Sequence, residues 1–189
     1  AASAAIGALN PIIGALTCIP VYLVAKEMFD KRVGVVAALV FAFLALPIST
    51  TVFSSGTEYG LAAFLVAFMS WFVVKMVKAA DAEDVSKKAV LVNAVIAGIF
   101  MAFAALTWNG FRFLVVILIV AMVLQIVVDR FRGRDFQTVL FGYIATLLVG
   151  TLIPAAYYMP AGLWEAVYSG PLLMMVIAVV LSLVFMAIR

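Results

Sequence analysis

Residues 113–135 read FLVVILIVAMVLQIVVDRFRGRD, an uncharged run of 16 residues followed by a short segment that carries three arginines. The uncharged run approaches the roughly 20 apolar residues that a helix needs to cross the hydrocarbon core of a bilayer. Arginines directly after such a run are typical of the cytoplasmic end of a spanning helix. This stretch therefore predicts a transmembrane helix whose C-terminal end faces the cytoplasm.

The same pattern of apolar runs and short polar connections recurs along the whole chain. It predicts an all-α fold, a polytopic transmembrane helix bundle of about seven spanning helices that forms a single domain over residues 1–189. The predicted helices cover residues 4–25, 33–48, 59–77, 89–106, 113–128, 136–154 and 171–188.

The distribution of the basic residues predicts how this bundle is oriented. Of the 12 Lys and Arg residues, all except Arg112 lie on alternate connections or on the helix ends beside them. An excess of Lys and Arg on one set of connections marks the cytoplasmic side of a membrane protein. Connections 26–32, 78–88 and 129–135 are therefore predicted to be cytoplasmic, and connections 49–58, 107–112 and 155–170 to be on the outer side.

Composition excludes a water-soluble domain and narrows the possible chemistry. The chain is 68% hydrophobic and 11% charged, whereas soluble domains are roughly half apolar and a quarter charged. It contains one cysteine and no histidine, so an internal disulfide is excluded and any metal would be bound through oxygen. The net charge of +3 comes from basic residues beside apolar runs. These residues are expected to meet anionic membrane lipid, and no nucleic-acid partner is expected.

Glu58 is the candidate metal ligand, because it is the only acid in the first outer connection. One interpretation is a helix-end acid that is favoured by the helix dipole, with Ser54, Ser55 and Thr57 capping the first turn. The other is a ligand for Mg²⁺ or Mn²⁺, which prefer carboxylate oxygens. A single carboxylate does not complete a divalent site, so further acids would have to come from elsewhere.

Arg112 is the candidate substrate-phosphate residue, because it is the single cation on the outer side. A guanidinium is well suited to bind the phosphate of a lipid-linked substrate. The alternative is a side chain that extends to the interface from the end of its helix. Glu165, the other outer acid, is expected on a solvated surface, and the outer aromatic residues such as Trp108 and Tyr158 are expected to form an interfacial belt.

Three amide side chains lie inside the predicted helices and are expected to form hydrogen bonds between helices. These are Asn10, Asn93 and Gln125.

A longer motif points to a known family. Residues 14–30, GALTCIPVYLVAKEMFD, resemble the second spanning helix of the catalytic subunit of oligosaccharyltransferases, most closely the archaeal members. Residues 32–40 (RVGVVAALV), 105–113 (ALTWNGFRF) and 127–134 (VVDRFRGR) resemble later parts of the same family. The resemblance covers nearly all of the chain, which would correspond to the second to eighth spanning helices. Because the chain begins at Ala1 and ends after an apolar run, we expect it to be a piece of a larger protein.

The resemblance implies an archaeal-type dolichyl-phosphooligosaccharide–protein glycotransferase. Such an enzyme transfers an oligosaccharide from a dolichyl phosphate or diphosphate carrier to the Asn of a sequon in an acceptor polypeptide. It uses Mg²⁺ or Mn²⁺, and its active site lies on the extracytoplasmic side of the cell membrane. The family carries an Asp-x-Asp or Asp-x-Glu motif in the loop before the helix that matches residues 59–77. Here Glu58 matches the second acid of this motif and Gly56 stands at the first.

No catalytic residue is assigned within this chain, and the piece alone is expected to be inactive, because the other family carboxylates and the acceptor-binding domain lie outside it. Two alternatives stay open. One is another polyprenyl-phosphate sugar transferase of the same membrane architecture. The other is a transporter or structural membrane subunit, which the two prolines of the first predicted helix, Pro11 and Pro20, leave possible.

Overall fold

The structure is a computed structural model, and it describes residues 2–44, 59–82, 85–108, 110–134 and 136–160. Residues 2–8 are described as backbone only. Single residues are also described farther along the chain, namely 162, 170, 173, 174, 176, 177 and 180. The described residues form six helices and no strand, which confirms the all-α prediction. The helices are α1 (Ala2–Met28), α2 (Lys31–Phe43), α3 (Tyr59–Asp81), α4 (Lys87–Thr107), α5 (Phe111–Phe131) and α6 (Gln137–Tyr158).

Five of these helices are long and apolar enough to cross a membrane, namely α1, counted from Leu9, and α3 to α6. With 13 residues, α2 is about 20 Å long, shorter than the roughly 30 Å of a hydrocarbon core. It ends at Phe43, five residues before the predicted end, and Leu44 is extended with φ −67° and ψ 135°. Residues 45–58 and most of the predicted seventh helix lie outside the described residues, so the count of seven stays a prediction.

The three charged connections meet at one end of the bundle, which we call the charged face. Its described part consists of residues 29–30, 82, 85–86, 132–134 and 136 with the helix ends beside them. Lys78 near the end of α3 pairs with Glu27 of α1, with 3.0 Å between Nζ and Oε1. Asp81 at the end of α3 pairs with Arg134 after α5, with 2.8 Å between Oδ2 and Nη1. Both ion pairs are partly exposed and add little stability, but they show that α1, α3 and α5 all end on this side.

Aromatic residues mark the opposite end, which we call the aromatic face. It comprises Tyr59 at the start of α3, Trp108 after α4, and Tyr157 and Tyr158 at the end of α6. The rings of Tyr59 and Trp108 meet edge to face with their centroids 6.5 Å apart. Helices α3 and α5 begin at this face and end at the charged face, whereas α4 and α6 run in the opposite direction. The described helices therefore confirm the alternation of connections inferred from the charges.

The core of the bundle lies where α4 packs between α3 and α6. Gly98 of α4 is so close to α6 that a Cβ on it would lie 2.7 Å from the Cβ of Val149 and 2.9 Å from the carbonyl oxygen of Thr146. The hydroxyl of Thr146 donates a hydrogen bond of 3.1 Å to the carbonyl of Ala94 on α4. Lipid provides no hydrophobic force between helices, so close packing at small residues and such hydrogen bonds hold spanning helices together.

For Asn93 and Gln125, the prediction of hydrogen bonds between helices is wrong. Asn93 Nδ2 donates to the carbonyl of Ala89 at 2.8 Å, one turn earlier in its own helix. Gln125 Nε2 donates to Oδ1 of Asp129 at 3.0 Å, one turn later in its own helix. Residues four apart lie on the same face of a helix, so these amides are satisfied without a neighbouring helix. Hydrogen bonds between α6 and α4 are made instead by the hydroxyls of Thr146 and Tyr158, which donate to the carbonyls of Ala94 and Ala105.

The two faces give a direct test of the predicted orientation. In a variant with Cys18→Ser, cysteines introduced by Ala82→Cys and by Met159→Cys lie exposed at the charged and aromatic faces, respectively. We expect a membrane-impermeant maleimide to label residue 159 from outside sealed cells and residue 82 only after the membrane is opened. The Cys18→Ser protein alone is the control for background labelling. Labelling of both positions from the same side would contradict the topology.

Candidate functional site at the aromatic face

The aromatic face brings together the ends of three helices that are distant in sequence. Tyr59 begins α3, Trp108 follows α4, and the hydroxyl of Tyr158 at the end of α6 donates a hydrogen bond of 3.3 Å to the carbonyl of Ala105. Trp108 and Tyr158 are half-buried, whereas Tyr59 is exposed. Amphipathic rings of this kind are typical of a membrane–water boundary, so this end of the bundle is expected to lie at such a boundary.

Contacts of Trp108 with Gly110 and Phe111 position the start of α5. The backbone N–H of Trp108 donates to the carbonyl of Ala104 at 2.9 Å, and that of Phe111 donates to the carbonyl of Trp108 at 3.2 Å. A Cβ at residue 110 would overlap the indole ring of Trp108, so this position requires the glycine that the sequence provides. The start of α5 therefore lies directly beside the aromatic ring of Trp108.

Arg112 is the second residue of α5, and its side chain is exposed at the aromatic face. The N-terminal end of a helix carries a partial positive charge. Gly110, the N-cap of α5, provides no side-chain cap for the N–H groups of the first turn. A guanidinium at this position adds a full charge and planar donors to that end of the helix. The local electrostatics therefore favour an anion at this position.

The structure does not place the candidate metal ligand, because Glu58 and Gly56 lie outside the described residues. The same holds for Glu165. Tyr59, the neighbour of Glu58 in the chain, is at the aromatic face. Among the described residues, no three His, Cys, Asp or Glu side chains come together in a group that would hold a metal ion. A divalent metal in this region would therefore depend on ligands beyond the described part of the chain.

A buried carboxylate at the charged face was missed by the sequence reasoning. The sequence predicts Asp129 in the connection after the helix, but α5 continues to Phe131 and the side chain of Asp129 is 1% exposed. Its Oδ1 accepts the hydrogen bond from Gln125, and its Oδ2 has no hydrogen-bond partner among the described residues. The signal that would have found it is spacing: Met122, Ile126 and Asp129 follow the helical period and share the buried face of α5.

A comparison with protein families gives one match over nearly the entire chain. The family described as oligosaccharyl transferase STT3, N-terminal, matches residues 3–188.

One curated relative is the dolichyl-phosphooligosaccharide-protein glycotransferase 3 of Archaeoglobus fulgidus. It is 26% identical to this chain over an alignment 176 residues long, and the match covers 87% of this chain and 19% of the relative. The chain thus spans about a fifth of the length of the curated relative it matches.

Solved structures share the fold at lower identity. The crystal structure of the Archaeoglobus fulgidus oligosaccharyltransferase in its apo form superposes with a TM-score of 0.70 at 20% identity, over 97% of this chain and 22% of that one. The archaeal oligosaccharyltransferase AglB from Archaeoglobus fulgidus, in complex with an inhibitory peptide and a dolichol-phosphate, gives 0.65 at 20% identity, over 98% and 26%. The Archaeoglobus fulgidus oligosaccharyltransferase in complex with Zn and sulfate also gives 0.65 at 20%, over 98% and 28%.

Proposed function

The chain belongs to the oligosaccharyl transferase STT3 family, as part of its N-terminal region, and from this membership we propose that it is part of the membrane core of an enzyme that transfers an oligosaccharide from a dolichyl phosphate or diphosphate carrier to asparagine in a protein. The observation that carries the proposal is the family match over residues 3–188. It favours a transferase over a transporter or a structural subunit. The chain is an integral membrane protein, as its five candidate spans and its family agree.

The aromatic face is the side on which we place the reaction, and we assign it to the extracytoplasmic side of the cell membrane. The positive-inside pattern supports this assignment, because the ion pairs of Glu27 with Lys78 and of Asp81 with Arg134 collect at the opposite end. In this arrangement the polyprenyl chain of the donor lies beside the helices and its phosphate lies at the boundary. The acceptor polypeptide, with its Asn sequon, approaches from water.

In this proposal, Arg112 binds the donor phosphate. Its exposed guanidinium lies in the first turn of α5, where the helix dipole also favours an anion. Charge-assisted hydrogen bonds from arginine to phosphate are strong and directional. The related archaeal enzyme solved with a dolichol-phosphate supports a donor whose phosphate is carried by dolichol. Phosphate leaving the sugar gains negative charge, so a positive group held at this position lowers the barrier of the transfer.

The proposal includes a divalent metal ion, either Mg²⁺ or Mn²⁺, with Glu58 as one of its ligands. The related enzyme solved with Zn and sulfate supports a divalent metal in the family. The described residues do not form a complete metal site, so further carboxylates must come from other parts of the full-length enzyme. The metal would supply positive charge that stabilises the negative charge of the departing phosphate. What this chain would contribute is one carboxylate directly before the start of α3.

The experiment that tests the proposal uses the full-length enzyme reconstituted in lipid. It measures transfer of an oligosaccharide from a dolichyl phosphate donor to a fluorescent peptide that contains an Asn sequon. We expect a glycopeptide with the wild-type sequon and none when its Asn is replaced by Gln. A full-length protein that binds both substrates and forms no glycopeptide would contradict the proposed function.

Replacing the candidate phosphate residue should weaken use of the donor. We expect Arg112→Ala to raise KM for the dolichyl phosphate donor by about 10-fold or more, because a hydrogen bond between charged groups contributes roughly 1.5–3 kcal/mol. Arg112→Lys should recover part of the loss, since it keeps the charge and loses the planar donor pair. The KM for the acceptor peptide should stay unchanged in both variants. Equal KM values for the donor in all three proteins would show that Arg112 only anchors its helix at the interface.

A further inference from the structure

An apolar groove runs between α1 and α2, next to the charged face. It is lined by Cys18, Ile19 and Tyr22 of α1 and by Val35, Ala38 and Leu39 of α2, and its volume is about 380 Å³. Ile19, Val35 and Leu39 are each about half exposed along it. Among the described residues, α2 packs chiefly against α1. The groove is thus open on the side away from the core of the bundle.

The shape of the groove follows from the small residues of α2. A Cβ on Gly34 would lie 3.0 Å from Cδ2 of Tyr22 and 3.1 Å from Cβ of Lys26, so α1 and α2 touch closely near the charged face. Farther along α2, Ala38 is too short to fill the space beside Cys18 and Ile19. The groove therefore begins about one turn from the charged face, and its apolar walls suit a hydrocarbon chain.

Three cations lie at the charged end of this groove. Lys26 sits over the ring of Tyr22, with 5.7 Å from Nζ to the ring centroid. Lys31 and Arg32 begin α2, and both are exposed. Together they place positive charge where the groove opens toward the headgroup region of a bilayer.

The acids of the same connection are already engaged elsewhere. Glu27 pairs with Lys78 of α3 at 3.0 Å. Asp30 caps α2, and its Oδ1 accepts hydrogen bonds from the backbone N–H groups of Arg32 at 2.7 Å and Val33 at 2.8 Å. Within the described part of the chain, Lys26, Lys31 and Arg32 form no ion pair. Glu27 is thus neutralised by Lys78, and Asp30 is the only other acid in this connection. The three cations outnumber it, so the end of the groove keeps an excess of positive charge.

We propose that this groove binds one anionic phospholipid of the bilayer, with a hydrocarbon chain between α1 and α2 and the phosphate on Lys31, Arg32 and Lys26. Charge complementarity selects this occupant, because basic clusters between spanning helices on the cytoplasmic side bind anionic headgroups, whereas a zwitterionic lipid brings its own positive charge. The site lies at the opposite face from Arg112, so it is separate from the proposed donor site. It gives the short helix α2 a lipid partner on its open side.

Native mass spectrometry of the purified protein tests the site by counting bound lipid during titration with phosphatidylglycerol or phosphatidylcholine. We expect one phosphatidylglycerol to bind saturably and more tightly than phosphatidylcholine. The double variant Lys31→Gln with Arg32→Gln should weaken phosphatidylglycerol binding about 20-fold, since each cation at a membrane surface contributes a factor of several. The matched control is Arg130→Gln with Arg132→Gln, which removes the same charge from the same face and should leave this binding unchanged.

A second pair of variants tests the apolar part of the site without changing charge. Ala38→Leu fills the groove and should reduce phosphatidylglycerol binding several-fold. Ala63→Leu adds the same volume at an exposed position of α3 and should have no effect. Unchanged thermal unfolding in all variants would show that the fold is kept.

Three results would overturn the proposal. The first is equal binding of the two phospholipids. The second is an equal loss of binding in both double charge variants, which would mean that the cations act only through the general surface charge. The third is tighter binding of dolichyl phosphate than of phosphatidylglycerol with the same dependence on Lys31 and Arg32, which would identify the occupant as substrate lipid.

Discussion

Replacing Gly98 with alanine is expected to destabilise the helix bundle by about 1–3 kcal/mol, the usual cost of overpacking. The sign is opposite to that expected from helix propensity, because alanine in place of glycine normally favours a helix by roughly 0.5–1 kcal/mol. The added Cβ would meet the Cβ of Val149 at 2.7 Å and the carbonyl oxygen of Thr146 at 2.9 Å. Neither atom is the tip of a flexible side chain, so α4 and α6 must move apart.

That movement should also lengthen the 3.1 Å hydrogen bond from Thr146 to the carbonyl of Ala94, which lies one turn before Gly98 on the same face of α4. The free energy of unfolding is measured by titrating the protein from mild detergent into SDS. Gly170→Ala is the matched control, because the described residues place nothing within 4 Å of the Cβ it would introduce. If Gly98→Ala were as stable as the wild type, the close contact between α4 and α6 would be refuted.

Replacing Glu58 with alanine in the full-length enzyme is expected to reduce oligosaccharide transfer about 10²–10³-fold, the range seen when one electrostatic stabiliser of a transition state is removed. The reason is the proposed role of its carboxylate as a ligand of Mg²⁺ or Mn²⁺, which prefer oxygen ligands of this kind. The affinity for Mn²⁺, measured by isothermal titration, should fall in parallel. This second measurement separates loss of the metal from a general loss of activity.

Two further variants sharpen the Glu58 prediction. Glu165→Ala removes the other acid predicted on the outer side and should leave both transfer and metal affinity unchanged. Gly56→Asp restores the first acid of the family motif and should tighten Mn²⁺ binding. Full transfer and unchanged metal affinity in Glu58→Ala would mean that Glu58 only favours the start of α3 through the helix dipole.

Much of the fold was predictable because a membrane constrains a sequence severely. Any segment within lipid must satisfy its own backbone hydrogen bonds, so apolar runs such as residues 113–128 have to be helices, and α5 covers that run. The helix ends were less predictable. Phe131 still belongs to α5 although it follows a charged residue, because snorkelling side chains let a helix extend into the headgroup region.

The candidate site was predictable only in part. Sequence placed Arg112 on the side opposite the basic clusters, and the structure has it at the aromatic face in the first turn of α5. The sequence alone did not reveal that residue 110 must be a glycine because the ring of Trp108 lies over it. The buried Asp129 and the partners of Asn93 and Gln125 were also missed, since a polar residue in an apolar run does not show by itself which face of the helix it occupies.

Sequence alone determined that this chain is a bundle of helices in lipid, that its connections alternate between two sides, and which side holds the basic residues. These properties depend on composition and charge summed along the chain, so no contact between distant residues is needed to infer them. Only the tertiary structure decided which helices touch. Gly98 against Val149, Thr146 on Ala94, and the apolar groove beside Lys31 and Arg32 all depend on how two helix surfaces face each other across short distances. In a chain where nearly every helix surface is apolar, hydrophobicity does not distinguish the surface that faces lipid from the one that faces another helix.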